Sequence, residues 1–455
     1  MSRTDTGLGT GPDTTGRGAN RWVILVCAVL VQLSIGSVYA WSVFAKALQS
    51  DQAFGWSKSK AAVPFSVVIG MIFIGTYVGG RLQDARGPRV VAMTGGVIYA
   101  VGVILASFAQ SPDAFWLLVL GYGVIGGFGL GMVYIVPIAM LQKWFPDKPG
   151  LITGLAVAGF GFGAVVTAPV GQALIDNSPS VPTKAFLWLG IGYLVILLVC
   201  TSVFRNPAAV PDATSSATKD STKDESRATG SRDFTPSEAM HTKQWYLLTA
   251  ILTMSVTAGI SLIAVAAGTA SDVAGYSATS AAALVGVLGL FNGAGRIFWG
   301  WLSDIVGKMP AFLGILGIQG VCLLLIPHAS SAALFAVLAA LVYLCYGGAF
   351  GTMPSTAGTF FGVRNVGAIY GLMLIGWSIG GVVGPLLIAS LIGSQKAYNL
   401  GFTVIGIITL VALVLPLITK KPRHDAVGTA ETGDARGGRR SQGRTDSGRA
   451  DSARR

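Results

Sequence analysis

Two residues in the run FNGAGRIFWG, residues 291–300, carry chemistry that their surroundings do not: Asn292 and Arg296. Four apart on a helix, they share one face. The run around them is otherwise lipid-soluble. An arginine at the middle of a membrane helix costs about 2.5–3.5 kcal/mol even on the lenient insertion scale, so one that persists usually faces protein or a water-filled cavity. No Asp, Glu or Lys lies at comparable depth in an apolar run to neutralise it. A guanidinium is a planar fork of donors that fits a carboxylate bidentately. At about 4 Å and an effective dielectric of about 20 the attraction is about 4 kcal/mol, comparable to the cost of holding the charge there. Arg296 is therefore read as a docking point for a small anion, with Gly289, Gly293, Gly295 and Gly300 leaving room beside it. The alternative is that it snorkels to the headgroups, since it lies about a turn from Gly300.

The elements that must position this pair follow from composition. Hydrophobic residues make up 52% and charged residues 11%, with a mean hydropathy of +0.65, which places the chain among integral membrane proteins. A spanning helix needs about 20 mostly apolar residues. The chain supplies twelve such stretches, at 22–44, 61–82, 90–108, 114–140, 149–175, 185–204, 244–269, 280–303, 310–327, 333–354, 367–393 and 398–418. The fold class expected is an all-α membrane protein. The first stretch is too long, and its exit WSVFAKALQS too bulky, for a cleaved signal peptide. Cys27, Cys200, Cys322 and Cys345 fall inside apolar stretches without a C-x-x-C or His/Cys cluster, so neither a disulfide framework nor a metal site is predicted.

Charge sets the orientation. With the N-terminus inside, short cytoplasmic flanks hold ten Lys and Arg, among them Arg21, Arg81, Lys143, Lys308 and Arg364, against five opposite, Lys46, Lys58, Lys60, Lys184 and Lys396. That excess predicts both termini in the cytoplasm of a cell membrane, read here as a bacterial inner membrane. The lysines before the second stretch dissent. Residues 1–20 and 420–455 lack apolar periodicity and are expected to be disordered tails, the second strongly basic. A polar segment, 205–243, separates six spans from six, giving an N-terminal bundle over 21–204 and a C-terminal bundle over 244–419.

An internal repeat supports the division. GRLQDARGPR (80–89) and GWLSDIVGKM (300–309) pair Gly80, Leu82, Asp84 and Gly87 with Gly300, Leu302, Asp304 and Gly307 at one offset of 220 residues. At that offset Arg296 and Asn292 face Thr76 and Ile72, so the candidate site breaks the symmetry of the halves.

The G-x-L-x-D-x-x-G loop in both halves, the twelve spans and the long central segment resemble the major facilitator superfamily over residues 21–420. Within it, SVYAWSVFAKAL, KWFPDKPGLITGLAVAGFGFGA, FNGAGRIFWGWLSDIVG and AIYGLML resemble the oxalate/formate antiporter family, relatives of the monocarboxylate transporters. The resemblance implies two pseudo-symmetric six-helix bundles and alternating access. It implies a gating role for Asp84, Arg86, Arg89 and Asp304, the aspartates latching onto helix N-termini; a loop cap is the plainer reading of each. It also implies that Arg296, in the pattern N-G-x-x-R with Asn292, ligates the substrate carboxylate. Tyr39, Tyr134, Tyr346 and Phe350 are implicated as an aromatic lining, although a residue of this kind taken alone is more often a packing or interface residue than a ligand contact. Oxalate carriers of that family have a lysine where this chain has Trp377, in YGLMLIGW. One central cation suits a monoanion, so lactate, pyruvate or formate is expected over oxalate.

Coupling is left open between a proton travelling with the substrate and exchange of anions, because Asn292 stands where many monocarboxylate transporters carry an acid. A carrier of neutral or cationic solutes predicts a polar cavity or a buried acid, and a sensor predicts a folded module in 420–455; neither is seen in the sequence. No nucleophile–base set, metal cluster or phosphate loop indicates an enzyme. The expectation is a monomeric transporter without cofactor or metal, whose partners are a small carboxylate, protons in one coupling mode, and the bilayer, with no nucleic acid.

Overall fold

The computed structural model describes residues 20–207, 233–392 and 398–422. Among these, twelve helices are long and apolar enough to cross a membrane, and there is no strand. They are α1 (Arg21–Gln49), α2 (Val63–Arg86), α3 (Pro88–Ala106), α4 (Phe115–Trp144), α5 (Pro149–Asp176), α6 (Pro182–Thr201), α7 (Lys243–Ala274), α8 (Ala283–Val306), α9 (Lys308–His328), α10 (Ala332–Phe361), α11 (Val366–Ile392) and α12 (Tyr398–Ile418). Several run past the apolar stretch that announces them. Hydropathy marks the part of a helix that lies in hydrocarbon, whereas hydrogen bonding carries the helix on into the polar interface.

Local chemistry sets the ends in matching ways in the two halves. Ser57 caps the helix leading into α2 by accepting the Lys60 amide, and Ser277 caps the helix leading into α8 by accepting that of Ser280. Gly87 and Gly307 then reverse the chain into α3 and α9 at φ 84° and 94°, a backbone region that side chains with a Cβ rarely enter. Both pairs keep the 220-residue offset.

Packing repeats in the same register. Helix α1 packs on α5, α2 on α4, and α3 on α4 and α6; their counterparts α7 on α11, α8 on α10, and α9 on α10 and α12 do the same. The halves meet where α5 packs on α8 and α2 on α11, with α10 also touching α5. Close approach is built into the first seam: a Cβ on Gly154 would overlap the Arg296 carbonyl. Outward faces remain apolar and exposed, as at Trp116, Trp188 and Leu386, which is the surface a bilayer covers. The four cysteines are free thiols.

The expected tails lie outside the described residues except at their inner ends, and so does Lys396. The described parts of 205–243 are anchored at both ends. Trp144 Nε1 donates to the Arg205 carbonyl at 2.7 Å. On the other half, the Phe234 amide donates to the Phe361 carbonyl at 2.9 Å and Asn365 Nδ2 donates to the Phe234 carbonyl at 2.8 Å. A five-residue helix, Pro236–Met240, follows with a reciprocal Thr235–Glu238 capping box, an element that hydropathy alone does not reveal.

Candidate functional site

Arg296 is 1% exposed, which removes the snorkelling alternative. Its side chain crosses the seam between the halves: Nη1 donates to the Val157 carbonyl of α5 at 3.1 Å, while Nε reaches Asn292 Oδ1 at 3.5 Å, a long contact within its own helix. Among the described residues no Asp or Glu pairs with it.

Two rings flank the guanidinium, one from each half. Phe160 of α5 lies 5.8 Å from it and Phe350 of α10 lies 5.3 Å away, both at cation–π range. Each ring anchors a short aromatic string. Tyr39 and Tyr134 meet Phe160 edge-on at 5.2 and 5.0 Å, and Tyr346 and Trp377 meet Phe350 edge-on at 5.3 and 5.6 Å. Tyr39 reaches its place because α1 tightens into a 3₁₀ segment over Gly36–Ala40, a local departure of the kind often found at functional hinges. Tyr39 and Tyr134 thus stand one ring from the guanidinium through Phe160, and Tyr346 one ring from it through Phe350.

The structure thus brings Arg296, Asn292, Tyr39, Tyr134, Tyr346 and Phe350 together. Trp377 stands one ring further out, behind Phe350. Phe160 was not singled out by the sequence. Phe160 sits in GLAVAGFGFGA, whose glycines signal helix packing, and nothing local says which ring of that run meets a charge.

The loop aspartates occupy a second, related place. Asp304 accepts the Gly150 and Leu151 amides at 3.0 and 2.9 Å, at the first turn of α5 in the opposite half, and Lys308 Nζ donates to it at 2.7 Å. Asp84 accepts the Ala368 amide at 3.3 Å, at the first turn of α11, again in the opposite half. Both therefore meet a helix N-terminus, where backbone N–H groups lack intrahelical partners. Arg86 and Arg89 are exposed, and among the described residues neither hydrogen-bonds nor pairs with these aspartates. Lys143 donates to the Arg364 carbonyl at 3.4 Å across the same face of the molecule.

Residues 22–385 match the family model for the Major Facilitator Superfamily. The oxalate:formate antiporter of Oxalobacter formigenes is 27% identical over 407 residues, covering 88% of this chain and 92% of that protein. Monocarboxylate transporter 13 of Rattus norvegicus is 27% identical over 436 residues, covering 90% and 94%. Among solved structures, the transporter FucP in its outward conformation superposes with a TM-score of 0.64 at 18% identity, covering 88% of this chain and all of that one.

Proposed function

The chain belongs to the Major Facilitator Superfamily, and we propose that it is a secondary transporter of small monocarboxylate anions such as lactate, pyruvate or formate. It is a multi-pass membrane protein and not an enzyme. The observation that carries the substrate reading is the buried Arg296 guanidinium, held at the seam of the two halves without a carboxylate partner among the described residues. The Val157 carbonyl supplies only a partial negative charge. An incoming carboxylate offers two full acceptors to the same fork and displaces that bond with a net gain. The rings of Phe160 and Phe350 exclude water around the charge, which strengthens the attraction.

The relatives point the same way: one is an oxalate:formate antiporter and another a monocarboxylate transporter. Trp377 in place of a second cation favours a single carboxylate. Asn292 orients the Arg296 fork, while Tyr39 and Tyr134 on one side and Tyr346 and Phe350 on the other wall the substrate. Asp84 and Asp304 act as latches on the face of the Gly87 and Gly307 turns. With both termini in the cytoplasm that face is cytoplasmic, so the described state is closed inward. Alternating access then follows from rocking of one half against the other about the Arg296 seam.

The reading is tested by uptake of labelled lactate, pyruvate, formate and oxalate into proteoliposomes, with and without a pH gradient, for the wild type and Arg296→Ala. Monocarboxylate uptake is expected in the wild type and lost in the folded variant. Unchanged uptake in Arg296→Ala would remove the guanidinium from the site. Stimulation by an inward proton gradient identifies symport; stimulation only by internal anion identifies exchange.

A further inference from the structure

On the outside of the N-terminal half, away from the seam, two hollows join end to end between α5 and α6. The first is polar at its mouth. It has a volume of about 280 Å³ and opens on the face opposite the Asp84 and Asp304 contacts, where α3 and α5 end and α6 begins. Lys184, Asn177, Ser178 and Gln110 line it. The second, about 330 Å³, continues along the two helices toward the middle of the membrane and is almost wholly apolar, walled by Val166, Val170, Gly192 and Ile196. Leu174 and Trp188 border both hollows, so the two form one groove with a polar mouth and an apolar run.

The chain builds this groove and holds it open. Thr183 Oγ1 donates to the Ala109 carbonyl at 2.8 Å, which pins the turn between α5 and α6 to the end of α3 and fixes the mouth. Deeper in, the buried hydroxyls of Thr167 and Tyr193 meet at 3.2 Å and form the floor between α5 and α6. Gly192 leaves the gap over that floor, since a Cβ built there meets no atom within 4 Å. Helices packed on each other ordinarily fill such a space with side chains. The mouth carries a charge. Lys184 is exposed, and among the described residues no carboxylate pairs with it. Asp176, next in the chain to Asn177, is engaged by Gln172 Nε2 at 2.7 Å.

An amphiphile with an anionic head and an extended apolar chain matches both parts. An ammonium, two side-chain amides and a hydroxyl offer donors to a phosphate, and a hydrocarbon chain fills the run that the helices leave empty. Trp188, 64% exposed, stands where head and chain meet, the level at which indoles sit in a bilayer. A soluble anion would use only the mouth, and a zwitterionic lipid brings its own cation to the place that Lys184 already occupies. We propose that the groove between α5 and α6 is a binding site for one anionic phospholipid, with its headgroup on Lys184 and Asn177 and one acyl chain along Val170 and Gly192.

The site bears on the seam through α5. The same helix carries the Val157 carbonyl bonded to Arg296 and the Gly150 and Leu151 amides bonded to Asp304. A lipid wedged between α5 and α6 therefore holds the seam helix from its outer side, and it shifts the balance between states as far as it fits them differently.

The test is native mass spectrometry of the full chain in detergent, titrated with phosphatidylglycerol or with phosphatidylcholine of the same acyl chains. The wild type is compared with Lys184→Gln, Gly192→Leu and, as control, Lys46→Gln, an exposed lysine of α1. The wild type is expected to retain phosphatidylglycerol about fivefold or more tightly than phosphatidylcholine, the difference one lysine makes beside an anionic headgroup. Lys184→Gln should lose most of that preference, Gly192→Leu should weaken both lipids, and Lys46→Gln should change neither. Glycerol phosphate should not displace the bound lipid. Equal retention of the two lipids by the wild type, an unchanged preference in Lys184→Gln, a loss as large in Lys46→Gln, or unchanged retention in Gly192→Leu would leave only a general lipid annulus and overturn the site. Displacement by glycerol phosphate would overturn it in favour of a soluble-anion pocket. Melting temperatures close to that of the wild type show that the variants are folded, and Lys184→Gln, a change at an exposed side chain, decides the matter alone if Gly192→Leu does not fold.

Discussion

Asp304 accepts the Gly150 amide at 3.0 Å across the boundary between the two halves, and its repeat counterpart Asp84 has no bond as short. Asp304 holds two amides and the Lys308 ammonium. Asp84 holds one amide at 3.3 Å and leaves Oδ1 buried without a hydrogen bond. The repeat explains the inequality, since Pro88 occupies the position of Lys308 and supplies no cation. Two contacts across the halves, built on one plan, therefore differ in strength.

Removing the stronger one should matter more. Hydrogen bonds to a charged group contribute about 1.5–3 kcal/mol each, and a shift of about 1.4 kcal/mol is tenfold in a population. Asp304→Ala is expected to move the balance toward the state open on the latch side by tenfold or more, and Asp84→Ala by clearly less. Spin labels at the exposed positions Lys148 and Ile305 report the seam directly by pulsed distance measurement. Equal broadening of the distance distribution in the two variants would contradict the inequality.

Close approach at the seam leads to a second expectation. A Cβ on Gly154 would overlap the Arg296 carbonyl, and one on Gly371 would crowd the Thr76 carbonyl in the other half of the seam at 2.8 Å. The backbone contact is thus duplicated although the side chains, Arg296 and Thr76, are not. Gly154→Val should block closure on the latch side without unfolding either bundle. In a background lacking the four native cysteines, a cysteine at the buried Ser355 would then label with a maleimide several-fold faster than in the parent, with transport lost. Unchanged labelling would mean that the helices separate at no cost.

How much of this was legible beforehand depends on what each residue answers to. The spans could be read because the bilayer demands a long apolar run whatever packs beside it, and the two-half plan because Asp84 and Asp304 repeat with their glycines. Arg296 stood out because a charge in such a run is costly on its own. Phe160 did not, because a ring in an apolar helix acquires a role only from the helix that meets it. Arg86 and Arg89 show the converse. They belong to the loop pattern, yet both are exposed and, among the described residues, neither bonds to Asp84 or Asp304, so adjacency in sequence is not contact in the fold.

Trp377→Lys tests the argument for a single charge. The indole is 4% exposed and meets Phe350, which itself faces Arg296. A lysine stem is long enough to bring an ammonium from that position toward the guanidinium, where two cations repel unless a dianion lies between them. Oxalate uptake is expected to appear and lactate uptake to fall at least tenfold, with lower thermal stability that added oxalate restores. Loss of lactate uptake without any gain for oxalate would show that the indole matters for packing and not for charge count.

The two rings beside Arg296 should behave differently from each other. Phe350 belongs to the same half as the guanidinium and moves with it, whereas Phe160 belongs to the opposite half. If the halves rock, the Phe350 contact persists in every state and the Phe160 contact is made in some states only. A cation–π contact of this kind contributes about 0.5–2 kcal/mol, which is about 2- to 30-fold in affinity. Phe350→Leu is therefore expected to weaken substrate binding by a similar factor from both faces of the membrane. Phe160→Leu should weaken it from one face and leave the other nearly unchanged, since only interactions that differ between two states shift the balance between them. Apparent affinities measured in right-side-out and inside-out vesicles separate the cases. Symmetric losses in both variants would place Phe160 and Arg296 in a fixed contact, and the seam between α5 and α8 could not then be the axis of the transport motion.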